Sequence, residues 1–459
     1  MDSSPVASTA AGVAAEDITA SAALERCLGA YARDNAELNA ITVLLADAAR
    51  VEASQRDLVV AARKPLGPLH GVPIAIKEEI AVAGTVTTFG GLGNVTPAAA
   101  DAEVVRRLRA AGAVIVGKTN MPEFGSVPFG DSDAHGSTRN PWDPARSPGG
   151  SSAGSAVAVA TGMAAAAMGG DGGGSIRVPA SYVGLFGLKP QRGRVTTAPD
   201  PHLWWALGTA GPLTRSVLDS ALVYDVVRGA ADTDLFRAGE VGSFVEAARR
   251  EPGRLRIGWS TKPVTRGVTC DPAHVRAVEE TARLLVDLGH DVREVDPRYP
   301  DPSAAFVPQL FASIRAETDA LEHPERLSVR NRSANTWGFW VTPRVRDWGI
   351  RQGEKVARKA NRVFEQVDVL MTPVTANRPP AVGAFIGKGV IRASLGSMPT
   401  VAYAALWNVA GNPAASVPAG FADDGLPTAV QLVGPTDGEE VLLSLSAQIE
   451  AARPWPFPR

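Results

Sequence analysis

Apolar positions along the chain recur in blocks whose spacing predicts helices and strands in turn. Helical spacing marks residues 16–35, 46–63, 101–111, 272–288 and 438–452. Short apolar runs predict strands at residues 38–45, 69–76, 113–117, 255–259, 291–295, 367–372, 414–418 and 428–433. Because helices and strands alternate, the pattern indicates an α/β protein.

The remaining segments are less regular. Residues 1–15 are small and polar, and we expect them to be disordered. Residues 184–195 and 211–228 predict a loop and a helix, and residues 300–366 predict helices on a less ordered segment. Residues 373–400 are rich in proline and glycine and predict an irregular loop. No internal repeat is evident.

Composition narrows the class of protein. The 459 residues carry a net charge of −2, which gives no reason to expect nucleic acid or an anionic membrane as a partner. The two cysteines, Cys27 and Cys270, are far apart and form neither a disulfide framework nor a metal spacing. No signal peptide or long apolar span is apparent, so we expect a soluble cytoplasmic protein without a metal.

Two clusters of glycine and serine, at residues 147–155 and 169–177, enclose a run of small apolar residues. The run predicts a buried helix followed by a buried strand. Glycine-rich backbone can bring N–H groups close to a developing anion. We infer that one serine is a nucleophile and that another relays a proton, although such clusters are more often simple loops.

Two other interpretations of these clusters fit poorly. A nucleotide-binding loop requires a lysine that residues 169–175 lack. Residues 150–154 match the Gly-x-Ser-x-Gly nucleophile elbow, with Ser152 in the middle. That motif needs a strand directly before it, whereas residues 139–148 form a proline-broken loop, and the last histidine, His323, is far from the C-terminus. We therefore reject the elbow.

Lys77 ends the apolar run at residues 72–76. Most such lysines extend their ammonium group to the surface, but this run leads into the interior. Burial disfavours the charged form of an amine, and an uncharged lysine can act as a base on a serine. Glu78 and Glu79 follow directly, and a carboxylate beside the amine opposes this effect.

Seven segments together resemble the amidase signature hydrolases, over most of the chain. They are Leu-His-Gly-Val-Pro-Ile-Ala-Ile-Lys (69–77), Gly-Lys-Thr-Asn-Met-Pro-Glu-Phe-Gly (117–125), Gly-Ser-Thr-Arg-Asn-Pro-Trp (136–142), Pro-Gly-Gly-Ser-Ser-Ala-Gly-Ser (148–155), Gly-Asp-Gly-Gly-Gly-Ser-Ile-Arg (170–177), Gly-Leu-Lys-Pro-Gln-Arg-Gly-Arg (187–194) and Gly-Asn-Pro-Ala-Ala-Ser-Val-Pro (411–418). The resemblance implies a large mixed, twisted central β-sheet covered on both faces by helices. It also implies a single domain over residues 1–459, with a catalytic core at about 65–230 and 400–455 and a more variable pocket segment at about 231–399.

The resemblance also implies roles for individual residues. The family's nucleophile falls on Ser175, its bridging serine, preceded by a cis peptide, on Ser151, and its base on Lys77. Its oxyanion hole corresponds to backbone N–H groups of Gly172, Gly173, Gly174 and Ser175, and its supporting residues to Ser152, Asp171 and Arg177. Ala153, Gly170, Gly172 and the Glu78–Glu79 pair replace residues that are commoner in the family, and none of these changes removes a catalytic group.

The implied activity is that of a serine hydrolase that cleaves amide C–N bonds through an acyl-enzyme, without a metal or organic cofactor. We expect an apolar or aryl small-molecule amide or carbamate (urethane) as substrate, because aromatic residues cluster in the loops that form the family's pocket. The expected pocket residues are Met121, Phe129, Trp204, Trp205, Trp337, Trp340 and Trp407. Equally, most of these side chains could belong to the core. Few charges occur in these loops, which argues against a strongly charged substrate.

Two other functions stay open at this stage. One is the A subunit of a tRNA-dependent amidotransferase, which works within a complex. The other is a binding protein that keeps this fold without catalysis, although the complete set of Lys77, Ser151 and Ser175 argues against it. We expect a small-molecule partner, no nucleic acid and no membrane, and either a monomer or a homodimer.

Overall fold

The computed structural model describes residues 4–458, and within them the strands are short and numerous. Their bounds are β1 Ile41–Leu44, β2 Pro73–Lys77, β3 Val114–Thr119, β4 Asp131–Ser132, β5 Gly136–Ser137, β6 Ala166–Asp171, β7 Phe186–Lys189, β8 Thr209–Thr214, β9 Arg256–Trp259, β10 Asp291–Glu294, β11 Val369–Pro373, β12 Ala414–Phe421 and β13 Pro427–Val433. Strands β4 and β5 form a separate two-stranded ribbon, and the others join one sheet.

Helices stand between most of these strands. Their bounds are α1 Pro5–Ala14, α2 Ala20–Leu38, α3 Ala46–Ala61, α4 Glu103–Ala110, α5 Ala153–Thr161, α6 Arg177–Val183, α7 Val217–Val227, α8 Phe244–Arg249, α9 Pro272–Asp287, α10 Ser303–Asp319, α11 Val329–Trp337, α12 Pro343–Ala360, α13 Val390–Val401, α14 Ala405–Ala410 and α15 Glu439–Ala452. Short 3₁₀ turns occur at Glu123–Gly125, Pro324–Arg326 and Asn361–Glu365.

The main sheet is mixed. Within residues 4–458 it contains eleven strands in the order β1-β3-β2-β6-β8-β7-β12-β13-β11-β9-β10. Strand β2 pairs in parallel with both β3 and β6, whereas β8, β7, β12 and β13 pair with their neighbours antiparallel. Because β2 and β6 are parallel neighbours, their last residues, Lys77 and Asp171, lie at the same edge of the sheet.

Both faces of the sheet are covered, as alternate residues of β2 show. Ile74 and Ile76 belong to a core cluster that includes residues of α4, α7, α9 and α15. Ala75, between them, belongs to a second cluster with residues of α2, α3, α5 and α6. Successive side chains of a strand point to opposite faces, so the two clusters lie on opposite sides of the sheet. The predicted fold class, an α/β protein with a large mixed sheet between helices, is confirmed.

Several local predictions are wrong. Pro5–Ala14, predicted to be disordered, is a helix, because Val6 and Val13 share one face and are buried against the rest of the protein. The first three residues lie outside the described part. The predicted loop at 184–195 contains β7, the predicted helix at 211–228 begins only after β8, and the predicted loop at 373–400 contains α13.

Among residues 4–458, no helix combines the length and the apolar character needed to cross a membrane.

Candidate active site

Lys77 is the last residue of β2, in the interior of the sheet. Its side chain is only 1% exposed. Because β3 and β6 flank β2 on both sides, the lysine stem has no route to the surface along the sheet. The Nζ group donates a hydrogen bond to Ser151 Oγ at 2.8 Å. The structure therefore places a buried amine in direct contact with the first of the two predicted serines.

Ser151 lies in the loop that leads into α5. The Gly150–Ser151 peptide bond is cis, as the resemblance implied. Ser152 follows, and its hydroxyl donates to Gly170 O at 3.2 Å, at the end of β6. Ser155, one turn into α5, donates to Met168 O at 2.9 Å. These bonds attach the serine loop to β6, the strand that leads to Ser175.

Ser175 lies in the turn between β6 and α6. Asp171, at the end of β6, accepts hydrogen bonds from Gly174 N at 2.7 Å and from Ile176 N at 3.1 Å. The Gly174 N–H, one of the predicted oxyanion donors, is thus already engaged. Within residues 4–458, the N–H groups of Gly173 and Ser175 have no protein acceptor. The Asp171 carboxylate therefore fixes the conformation of the turn, and the N–H groups of Gly173 and Ser175 are available to a ligand.

Asp171 and Arg177 form an ion pair that is fully buried. Arg177 Nε and Nη2 each lie 3.0 Å from an Asp171 carboxylate oxygen, and both side chains are 0% exposed. Burial on its own raises the pKa of Asp171, but the Arg177 charge and hydrogen bonds outweigh it and hold that pKa well below its ordinary range. The Asp171 carboxylate is therefore charged at neutral pH, and its hydrogen bonds orient the turn that carries Ser175.

Two polar residues missed by the sequence reasoning complete this network. Asn408 donates from Nδ2 to Asp171 O and Oδ1, both at 2.8 Å, and accepts from Arg177 Nη2 at 2.6 Å. Gln431 accepts from Arg177 Nη1 at 2.7 Å. Both residues are more than 200 positions away in sequence from Arg177. Their only sequence signal is a polar residue in an otherwise apolar run, within α14 and β13.

Besides its hydrogen bond to Ser151, the Lys77 amine forms an ion pair with Glu79. The distance from Lys77 Nζ to Glu79 Oε1 is 3.0 Å, and the Glu79 side chain is 9% exposed. Glu78 pairs instead with Lys118, at 3.0 Å. Gly170 leaves the space that the Glu79 carboxylate occupies, since a Cβ at that position would overlap Oε1. The carboxylate beside the amine, which the sequence could not locate, belongs to Glu79.

The cleft at these residues has two parts. A narrow pocket of about 10 Å³ is lined by Lys77, Ser151, Gly172 and Ser175, and has room for little more than one water molecule. A larger space of about 430 Å³ adjoins it, with Glu79, Leu203 and Trp204 lining both. We call the larger space the side cavity. Its other lining residues include Phe89, Phe124, Asp200 and Glu317.

The seven predicted pocket residues are not brought together. Trp204 lines both spaces, and Met121 is buried with its Cε near Gly125, which lines the narrow pocket. The ring of Trp205 lies 4.0 Å from that of His202, beneath Arg346.

The other four lie elsewhere. Phe129 stacks on Phe385 with centroids 4.3 Å apart, and Trp407 is buried in a core cluster beside Phe364. Trp337 and Trp340 are 55% and 42% exposed on the surface. The structure thus places these four in packing or on the surface, because loop position alone does not fix where a side chain points.

Comparison with known proteins gives the family. The family model described as Amidase matches residues 22–443. The chain belongs to the amidase signature family. AmiB2 of Mycobacterium tuberculosis is 47% identical over 441 residues, which cover 95% of this chain and 94% of that protein. A 6-aminohexanoate-cyclic-dimer hydrolase of Pseudomonas sp. is 32% identical, over 96% of this chain and 92% of the hydrolase.

Solved structures agree with this assignment. The structure of a 6-aminohexanoate cyclic dimer hydrolase with its substrate matches with a TM-score of 0.93 and 31% identity, over 100% of this chain and 99% of the other. A bacterial aryl acylamidase of the amidase signature family matches with a TM-score of 0.88 and 26% identity, covering 98% and 96%. The chain is an amidase, a hydrolase that acts on carbon–nitrogen bonds.

Proposed function

We propose that this amidase cleaves small, predominantly apolar amides through an acyl-enzyme, with Ser175 as nucleophile, Ser151 as proton relay and Lys77 as base. The observation that carries the proposal is the 2.8 Å hydrogen bond from the buried Lys77 amine to Ser151, in a pocket that Ser175 also lines. A base in contact with one hydroxyl, and a second hydroxyl in the same pocket, is the arrangement that activates a serine without histidine.

The proton transfers balance as follows. Uncharged Lys77 takes the Ser151 hydroxyl proton while Ser151 takes that of Ser175, and Ser175 Oγ bonds to the amide carbonyl carbon. Backbone N–H groups of Gly172, Gly173 and Ser175 stabilise the oxyanion, and losing one such donor costs about 3–4 kcal/mol. The C–N bond breaks as a proton passes from Ser151 to the leaving nitrogen and one from Lys77 to Ser151. Water then hydrolyses the ester by the same relay.

Glu79 also contacts the base of this scheme. Its carboxylate lies 3.0 Å from the Lys77 Nζ, the atom that donates to Ser151. The relay uses the uncharged amine, because an ammonium group has no lone pair with which to accept the Ser151 proton.

The relatives support amides as the substrate class. One acts on the cyclic dimer of 6-aminohexanoate and another is an aryl acylamidase. We therefore propose aryl amides and cyclic amides as first substrates. Carbamates, whose carbonyl also carries a nitrogen leaving group, and esters are further candidates for the same relay.

The test is covalent labelling combined with turnover. The purified chain alone should react with a fluorophosphonate at Ser175, located by peptide mass spectrometry, and should hydrolyse simple anilides. Ser175→Ala should abolish both, whereas Ser444→Ala, a buried serine in α15, should retain both. A Ser175→Ala variant with near-wild-type turnover would refute the proposal. An isolated chain that is labelled but hydrolyses no amide would favour a subunit role.

A further inference from the structure

The space for a substrate lies beside the serines. The narrow pocket, at about 10 Å³, admits the reacting atoms only, whereas the side cavity offers about 430 Å³ and shares three lining residues with it. That volume is in the range of small-molecule sites. A substrate whose carbonyl reaches Ser175 can extend its remaining atoms into the side cavity, where the lining of that cavity contacts them.

The charged side chains that line the side cavity are acidic. Three carboxyl groups, those of Glu79, Asp200 and Glu317, line the side cavity, and neither lysine nor arginine does within the described residues. Burial lowers the pKa of the remaining basic group, His202, below its usual value, so it is neutral at physiological pH.

The three carboxyl groups differ in their partners. Glu79 pairs with Lys77, but its Oε1 atom is buried and accepts no hydrogen bond of good geometry in residues 4–458. In the same part of the chain, the side chains of Asp200 and Glu317 form neither an ion pair nor a hydrogen bond. The side cavity thus holds carboxyl groups without a cation to balance them.

Of the carboxyl groups in the side cavity, Glu317 on α10 has the pKa that is raised most. Burial, followed by repulsion from Asp200 and Glu79, raises the pKa of its carboxyl to about 7. The Glu317 side chain is half-buried, and a carboxylate withdrawn from water in this way is stabilised by a positive charge or by hydrogen-bond donors near it. A bound cation would supply that missing partner.

The apolar part of the lining includes three aromatic residues in unusual backbone conformations. Phe89, Phe124 and Trp204 have φ values of 52°, 56° and 51°, a region that bulky residues rarely adopt. Such conformations are concentrated at ligand sites, where surrounding structure enforces them. Aromatic faces also attract alkylammonium groups, which places a second kind of cation-binding element in the same cavity.

We propose that the side cavity binds a positively charged group of the substrate, so that the preferred amides carry an alkylammonium end joined by an apolar chain or ring. The ammonium group pairs with Glu317 and Asp200, while the apolar part packs on the aromatic residues. This inference rests on the proposed function and narrows its substrate class. It differs from the expectation that a strongly charged substrate is disfavoured, because that expectation considered only the charges in the loops and not Glu317 on α10.

The experiment compares amides that differ only in the terminal charge. One pair varies the acyl side: 6-aminohexanoyl p-nitroanilide against heptanoyl p-nitroanilide. The other varies the amine side: N-(6-aminohexyl)benzamide against N-heptylbenzamide. Measurements at pH 8 keep Glu317 ionised and the amines charged. We expect kcat/KM to favour the ammonium member about ten-fold or more in at least one pair, as for a hydrogen bond to a buried charged group.

Variants test the assignment to this cavity. Glu317→Gln should reduce the ammonium preference about ten-fold, and Asp200→Asn, at the rim, should reduce it less. Glu325→Gln, an exposed carboxyl outside the cavity, is the control and should leave the preference unchanged. As a further measurement on the wild type, hexylammonium should inhibit competitively at concentrations where 1-hexanol does not.

The outcomes separate the two proposals. Equal kcat/KM within both pairs, a preference for the neutral members, or a preference that survives in Glu317→Gln would overturn the cation site and leave the amidase mechanism intact. A lack of fluorophosphonate labelling at Ser175 with no turnover of any amide would overturn the proposed function itself.

Discussion

The most informative single change in the site is Asp171→Asn. It keeps the shape of the side chain and removes one buried negative charge. The carboxylate accepts from Gly174 N, Ile176 N and two nitrogens of Arg177. In the variant, an NH₂ group must replace one oxygen and face donors, and the Arg177 guanidinium, 0% exposed, loses its counter-charge.

The magnitude follows from this burial. Removing one partner of a fully buried ion pair costs about 3–5 kcal/mol, because the other charge is left uncompensated. Gln431, Asn408 and Ala404 O still accept hydrogen bonds from Arg177, which places the expected loss at the lower end of that range. The entropy of unfolding for 459 residues is about 1 kcal/mol per kelvin. The melting temperature should therefore fall by about 3–4 °C.

The assay is thermal unfolding by circular dichroism, with fluorophosphonate labelling of Ser175 measured on the same preparations. Labelling should slow at least ten-fold, because the Gly174 N–H loses its anionic acceptor and the turn before Ser175 relaxes. Asp47→Asn is the matched control, since the Asp47 side chain is fully exposed and should leave both measurements unchanged. A melting temperature within 1 °C of wild type, with normal labelling, would refute the argument that this pair organises the turn.

The pH dependence gives an independent check on the same group. The folded-state pKa of Asp171 is depressed, so its contribution to stability is complete above the unfolded value of about 4 and is lost as the pH falls below it. The difference in melting temperature between wild type and Asp171→Asn should be full at pH 7 and narrow below about pH 4. A difference that stays constant from pH 7 to pH 3 would show that the charge of Asp171 has no part in the effect.

Two further changes test the turn and the base. Gly174→Ala should lower the melting temperature and abolish turnover, because φ is 127° at this glycine and the new Cβ would lie 2.9 Å from Ala404 Cβ. The control is Gly29→Ala in α2, where the new Cβ meets open space and the melting temperature should rise slightly. Equal melting temperatures and turnover in the two variants would contradict this view of the turn. Glu79→Gln removes the charge of the carboxylate that lies 3.0 Å from the Lys77 Nζ, so kcat/KM for a neutral anilide should fall about ten-fold or more, because the amine that contacts Ser151 loses the partner that helps to position it. An unchanged kcat/KM would mean that Glu79 does not act on the base.

Local sequence patterns predicted much of the fold because several elements carry their own signal. The apolar run before Lys77 forms β2, and the small-residue run between the serine clusters forms α5 and β6. The failures have local causes too. Helix α1 is rich in small residues and is stabilised by packing of Val6 and Val13 rather than by a strong pattern. Strand β7 is four residues long, too short to show a period.

The site residues also divide into those that the sequence indicated and those that only the folded structure reveals. The two glycine-serine clusters stand out in the sequence, whereas the positions Ser151, Asp171 and Ser175 within them come from the resemblance to the family, and their roles stay predictions. Asn408 and Gln431 could not be identified from the sequence, because their partner Arg177 is 231 and 254 positions away and only the folded chain brings them together.

Of the predicted tryptophans, Trp204 lines the cleft, whereas Trp337 and Trp340 are exposed and Trp407 is in a core cluster. Their abundance in loops was visible in the sequence, but whether each ring faces the cleft, the core or the solvent depends on packing.

Glu79 shows how two changes that look independent in the sequence form one feature in the fold. Glu79 and Gly170 both replace residues that are commoner in the family, and they lie 91 positions apart. In the structure they are in contact, since a Cβ at position 170 would overlap Glu79 Oε1. The glycine therefore makes room for the carboxylate, and the carboxylate lies between the Lys77 amine and the side cavity.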